Sequence, residues 1–325
     1  MTDYREADFS RLKTVPIAQR PNKVDPSLLA YPHPPGDDPR FSAFLDSLPD
    51  VLAAKDLRAV IRQLAQAAGR RGVVAMLGGH VIKVGLGPLL RELMRRGVIT
   101  HLALNGSAAI HDFELAAYGG TSEDVAAGLA DGTFGMAEET GRDMNAAVAA
   151  GAVAAQGLGE ALAHALKGRS KLAAPDVSVL LGAAEWGIPV TVHAALGADI
   201  IHQHPTADGA ALGATSHRDF KRLAASLPTL HDGGIVLNLG SAVVMPEVFL
   251  KAVAVVRNFG HDLAGLVAAN LDKEAKYRTG TNVLRRPAAE GIEVIGHHEL
   301  LIPLLHAAVA AKLAAKSDTG LSKAA

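Results

Sequence analysis

A doubly wound α/β domain built on a mostly parallel sheet is what this sequence predicts. Short runs that are apolar throughout alternate with segments of helical apolar spacing. Strands without polar alternation need cover on both faces, and crossover helices on a parallel sheet supply it. Several of the runs end in glycine and pass straight into a helix start, the turn that lines the ligand crevice of an open sheet.

The elements follow in order. Residues 1–40 stand apart, because Pro16, Pro21, Pro26, Pro32, Pro34, Pro35 and Pro39 exclude long helices. They read as an extended arm, packed on a neighbouring subunit or loosely draped. The α/β domain is placed at 41–315 and a tail at 316–325. Residues 53–70 have helical spacing, and 73–77 form a buried strand closed by Gly78-Gly79. Pro88 opens the next helix and Gly97 ends it. A second strand covers 100–105, and a helix runs from about Ser107 to Tyr118. Thr121-Ser122-Glu123-Asp124 resembles a capping box for a further helix. The alanine-rich stretch 141–172 reads as helical core. Strands are expected at 189–194, 235–239, 266–270 and 292–295, with helices near 209–226, 246–258 and 298–312.

The formal net charge of −1, without a basic tract, argues against nucleic acid or an anionic membrane as partner. Aromatics at 4% leave no base-stacking platform. With no cysteine there is no disulfide framework, zinc-thiolate site or thiol nucleophile, which fits a cytoplasmic protein. The first residues lack an apolar signal-peptide core, and the alanine-rich runs are too short and glycine-broken to span a bilayer.

Polar groups gather at the strand ends. Gly78, Gly79, His80 and Lys83 follow the first strand. Glycines there admit a phosphate, a helix start favours the anion, and Lys83 would neutralise it or sit in solvent. Asn105, Gly106 and Ser107 close the second strand and offer donors and acceptors to a ribose or amide. His111 and Asp112 follow as a general base with its orienting carboxylate, or as a satisfied histidine and a capping carboxylate. Gly240 and Ser241 end a later strand, and Asn270 the next. Asp199 would bind a cationic or polyol substrate, with His202 and His204 on one face of an extended segment as alternative bases. A metal site from His193, His202 and His204 with Asp199 is a competing reading, although the spacing matches no zinc pattern.

In this order along the chain, the motifs resemble the deoxyhypusine synthase family over about residues 71–306. Trp186-Gly187-Ile188-Pro189-Val190 is similar to the family's helix followed by an "IPV" strand. The run Leu196-Gly197-Ala198-Asp199-Ile200-Ile201 is similar to its "LGDM" segment, whose aspartate holds the amine substrate. Gly240-Ser241-Ala242-Val243-Val244 resembles "GGGVV", and Ile302-Pro303-Leu304-Leu305 resembles "FPLL". The resemblance implies a Rossmann-like NAD-binding fold, a homotetramer with sites between subunits, and Asp199 on an amine. Two positions depart from it. Met245-Pro246-Glu247 stands where the family has a histidine. No lysine lies in 286–292, where the family's "WGK" lysine forms an imine. Without that amine the covalent half of the family's transfer has no carrier.

The expectation is therefore an NAD-dependent enzyme acting on a small amine or polyol-like substrate. NAD would lie on Gly78, Gly79, His80, Lys83, Asn105, Gly106, Ser107, Gly240, Ser241 and Asn270. His111, Asp112, Asp199, His202 and His204 would do the chemistry. The alternatives are aminobutyl transfer through a relocated Lys83, Lys273 or Lys276, a non-catalytic nucleotide- or polyamine-binding protein, and the histidine metal enzyme.

Overall fold

The computed structural model describes residues 41–321, without the side chains of Ser42 and 316–321. The arm at 1–40 and the end of the tail lie outside the described residues. Helices α1 (Phe41–Asp46) and α2 (Leu52–Ala67) lead into β1 (Val73–Leu77), α3 (Gly79–Lys83), α4 (Gly87–Arg95) and β2 (His101–Asn105). Next come α5 (Gly106–Tyr118), α6 (Val125–Asp131), α7 (Glu138–Val153), α8 (Leu158–Lys167), α9 (Val179–Trp186) and β3 (Val190–His193). The second half is α10 (Gly209–Ser226), β4 (Ile235–Leu239), α11 (Val244–Asn258), β5 (Val267–Asp272), β6 (Glu290–Ile295) and α12 (His298–Leu321).

The sheet has six strands in the order β3-β2-β1-β4-β5-β6, and every neighbouring pair is parallel. This is the doubly wound Rossmann order, with its switch point between β1 and β4. Burial on both faces explains the unbroken apolar strands. Val73, Ala75 and Leu77 of β1 enter one core cluster, with Leu64 of α2, Leu90 of α4 and Phe113 of α5. Val74 and Met76 enter a second, with Leu223 of α10 and Phe249 of α11. In α2 the buried Leu57, Val60, Ile61 and Leu64 keep helical spacing. The stretch His298–Ala315 of α12 is long and apolar enough to cross a membrane. Its Ile302, Leu305, Ala308 and Val309 are packed into the first core cluster.

Several expectations shift. The alanine-rich middle is two helices, α7 and α8, and a π-helical segment, Thr279–Arg285, had no sequence signal. The capping box does not form around Thr121. Asp124 caps α6 by accepting from the Ala127 N–H, and the Glu123 carboxylate accepts from Gly135 N–H instead. At the switch point Gly78 and Gly240 meet backbone to backbone, since a Cβ on Gly78 would fall 2.1 Å from the Gly240 carbonyl oxygen.

The edge strand β3 is covered by α10. Oδ2 of Asp219 accepts from the N–H groups of both Gly159 and Val192 at 2.8 Å, and Ser216 Oγ accepts from Ala194 N–H at 3.0 Å. Asp219 is fully buried, and its Oδ1 makes no hydrogen bond but faces the Arg222 guanidinium at 3.9 Å. Burial pushes its carboxyl up to about 7 against the pull of those two N–H groups. A carboxyl raised on folding costs stability as pH climbs from its unfolded value toward its folded one. Because one oxygen takes both bonds, an asparagine keeps them. Asp219→Asn is therefore expected to melt above the wild type at pH 8, with the advantage shrinking at pH 5. A difference independent of pH would refute the burial argument.

Candidate functional site

A cleft of about 730 Å³ opens at the carboxyl ends of β1, β2 and β3. One wall is a face of α5, where Ser107, Ile110, His111, Glu114 and Tyr118 follow helical spacing. Lys83 at the end of α3 stands at its edge. The other walls are the loop holding Thr121 and Glu123, Phe134, the first turn of α7 with Glu139 and Thr140, and Asp199 with Ile200.

His111 is half-buried, and burial followed by the charge of Lys83 pushes its pKa below the usual imidazole value. Its Nδ1 lies 2.7 Å from Thr121 Oγ1. The Thr121 hydroxyl donates to Glu114 Oε2 at 2.5 Å, and the Thr140 hydroxyl donates to Glu114 Oε1 at 2.8 Å. Thr121 and Glu114 were not among the expected site residues. The signal that would have found Glu114 is its place three residues after His111, on the same helical face.

Asp112 turns the other way. It is buried, and its carboxylate accepts from Ser178 Oγ at 2.6 Å and from the N–H groups of Val179 and Leu180 at 2.7 and 3.1 Å. It secures the amino end of α9 and neither orients His111 nor reaches a ribose, because successive helical residues point about 100° apart.

Asp199 reaches the cleft. Its carboxylate covers the amino end of α5, where a Cβ on Gly106 would fall 2.0 Å from Oδ2. Burial pushes the Asp199 carboxyl up, while His202 and the Ala195 N–H pull it back. His202 Nδ1 accepts from Gly197 N–H at 3.2 Å, so Nε2 carries the ring hydrogen. That Nε2 has no hydrogen-bond partner and lies 3.8 Å from Asp199 Oδ2. His202 thus stands behind the carboxylate, its Nε2–H beyond hydrogen-bond distance of Oδ2, and does not line the cleft. It sits in a 3₁₀ turn, Ile200–Gln203, so the expected extended face with His204 does not form. The ring of His204 packs on Gly141 of α7 and bonds through Nε2 to the Gly135 carbonyl at 2.8 Å, outside the cleft lining.

The histidine metal cluster is corrected as well. Among the described residues no three His, Cys, Asp or Glu side chains converge to hold a metal. His193 is buried in the sheet, where it and His101 bracket the Thr191 hydroxyl at 3.1 Å each. Burial pushes these two rings down to about 3 and about 4.

The expected dinucleotide contacts divide. Asn105 Oδ1 caps α5 by accepting from Ala108 N–H. Asn270 is buried and its Oδ1 accepts from Asn238. Ser241 is buried and its Oγ accepts from Met245 N–H. Gly78 and Gly240 close on each other, and a Cβ on Gly79 would fall 2.1 Å from Ser107 Oγ. These groups serve the fold. Ser107 lines the cleft, and Lys83 and His80 stay exposed. The His80 ring stands 5.5 Å from that of His298. Its pKa is lowered by burial and then by His298, with smaller pushes from Lys83 and Lys273 and an opposing pull from Glu299. The switch-point rim thus sets the cations Lys83 and Lys273 against Glu299 around a neutral His80, while the cleft beside it holds Glu114, Glu123, Glu139 and Asp199 against Lys83.

No protein-family model matches this chain, and no curated protein does. Solved structures match at the level of fold. A conserved putative LOR/SDH protein from Methanococcus maripaludis S2 has a TM-score of 0.51 at 15% identity, over 80% of this chain and 70% of that one. A putative deoxyhypusine synthase from Entamoeba histolytica has a TM-score of 0.50 at 11% identity, over 84% of this chain and 93% of that one. Unliganded AgrE has a TM-score of 0.50 at 17% identity, over 81% of this chain and 34% of that one. The chain spans about a third of the length of AgrE and of the cyanobacterial arginine dihydrolase ArgZ. The fold is deoxyhypusine synthase-like.

Proposed function

We propose that the chain is an NAD-dependent enzyme acting on a small amine. The observation that carries this reading is the acidic lining of the cleft, Glu114, Glu123, Glu139 and Asp199, with Lys83 at its boundary toward the switch point. Asp199 would hold the substrate ammonium, aided by Glu123 and Glu139 at the opposite wall. His111, kept neutral by burial and Lys83, would take the proton released from the reacting nitrogen or carbon.

The residues present fit the dinucleotide in one place and not in another. The amino end of α5 does not suit a phosphate, because the Asp199 carboxylate already covers Gly106. The outer rim of the switch point suits one better, since the exposed Lys83 and Lys273 act on the exposed His80 ring there, while the glycines behind them are filled by the protein itself. These three side chains would hold the phosphates. When bound, NAD would supply the hydride acceptor. A second reading rests on the position of Lys83 alone. It is the one lysine in the cleft lining, whereas Lys276 is paired with Glu274. It would stand in for the family's imine-forming lysine, and borohydride trapping of a substrate fragment on Lys83 would establish that.

Calorimetry with a short aliphatic diamine and with NAD tests the main reading. Both are expected to bind. NAD affinity should fall with added salt and in a Lys83→Ala, Lys273→Ala double variant. Diamine affinity should weaken on the acid side at a pH above the ordinary carboxylate range. The raised Asp199 carboxyl takes up its proton there and loses its charge. No binding of any short amine would end the proposal, and amine binding without NAD binding would remove its redox half.

A further inference from the structure

We propose that Glu114 and Thr121 are positioning residues that fix the tautomer of His111, placing the ring hydrogen on Nδ1 and leaving Nε2 as the free base. The argument is an inventory of hydrogens. A threonine hydroxyl has one hydrogen and a carboxylate has none. The Thr121 hydrogen goes to Glu114 Oε2 at 2.5 Å. The 2.7 Å contact between Thr121 Oγ1 and His111 Nδ1 then needs its hydrogen from the ring. Glu114 is held on its other oxygen by Thr140, so the acceptor end of the chain does not turn away. The His111 ring lines the cleft, and its hydrogen bond among the described residues is made through Nδ1, not Nε2.

The direction of this chain has a chemical consequence. The bond made by one ring nitrogen sets the role of the other. With the hydrogen on Nδ1, Nε2 presents a lone pair. With the opposite tautomer it would present a donor and take no proton. When Nε2 accepts a proton, Nδ1–H keeps its partner, and the Glu114 carboxylate one hydroxyl away favours the imidazolium. Interposing Thr121 keeps that carboxylate from direct contact, so the resting ring stays neutral, in keeping with its lowered pKa. The same contacts also tie the loop after α5 to α7. A mere tie would be indifferent to which nitrogen carries hydrogen.

The role of Nε2 as a base rests on the amine-site reading above, but the tautomer does not. The test is nitrogen NMR of the full chain with nitrogen-15-labelled histidine, titrated over pH, with His111→Gln for assignment. Wild type is expected to show a hydrogen on Nδ1 and none on Nε2. Thr121→Val should lose that pattern and lower the His111 pKa further, and Thr121→Ser should restore both. Glu114→Gln keeps an acceptor but removes the charge, so it too should lower the pKa. Hydrogen on Nε2 in the wild type, or a Thr121→Val spectrum and titration equal to wild type, would overturn the proposal. Adding a short diamine to the same sample separates the two claims. An unresponsive His111 with Nδ1–H intact sinks the amine site and leaves the tautomer assignment standing.

Discussion

Replacing Asp112 by alanine is expected to destabilise the fold by about 3 kcal/mol and to leave the titration of His111 unchanged. Three donors converge on this carboxylate, Ser178 Oγ and the N–H groups of Val179 and Leu180, all in a buried setting. Each buried donor left without a partner costs about 1–3 kcal/mol. The loss is less than the full sum because the variant no longer buries a carboxylate, whose pKa burial pushes up to about 6. In a domain of this size the change would appear as a fall in Tm of roughly 5 °C. Should Asp112→Ala fail to fold, Asp112→Asn serves as the milder variant, keeping one acceptor oxygen. A variant as stable as wild type would refute the helix-securing role. A shifted His111 titration would restore the pairing of His111 with Asp112 that adjacency in sequence suggests.

Asp199→Asn is expected to have the largest effect on ligand binding. A charge-assisted bond to an ammonium is worth about 1.5–3 kcal/mol, so diamine affinity should fall by ~10- to 150-fold. The fold should be little affected, since the Ala195 N–H contact is long at 3.4 Å and an amide oxygen can still accept it. The acid-side loss of affinity expected of the wild type should vanish in the variant, because no group at that position titrates. Unchanged diamine affinity, with the protein folded, would show that Asp199 is not the ammonium site.

Much of the architecture was legible in the sequence. The strand Val73–Leu77 and the helix Gly209–Ser226 fall at the expected positions, because burial on both faces writes an unbroken apolar run and a glycine ends it. The turns at Gly78 and Gly106 were legible as strand ends for the same reason. Their purpose was not. Glycine at Gly106 makes room for Asp199, and at Gly78 for Gly240, and a gap filled by the protein itself looks in sequence like a gap left for a phosphate. The π-helical segment Thr279–Arg285 was illegible because no local residue pattern distinguishes it from a loop.

The candidate site shows the same boundary. His111 and Asp199 were found because imidazole and carboxylate at strand ends are chemically conspicuous, and both line the cleft. His204, His193, Asn270 and Ser241 were equally conspicuous, and each is held by a bond within the fold. The sequence by itself determined a parallel α/β sheet and the strand ends at which polar groups gather, since periodicity and glycine act within a few residues. Only the tertiary structure decided which of those groups face the cleft. That choice depends on donors far along the chain. Asp112 is claimed by the amino end of α9 across 66–68 residues, and Glu114 is left to Thr121 and Thr140 on the side where His111 lies. A side chain's orientation is set by the partner that satisfies it, and sequence spacing does not carry the location of partners brought together by folding.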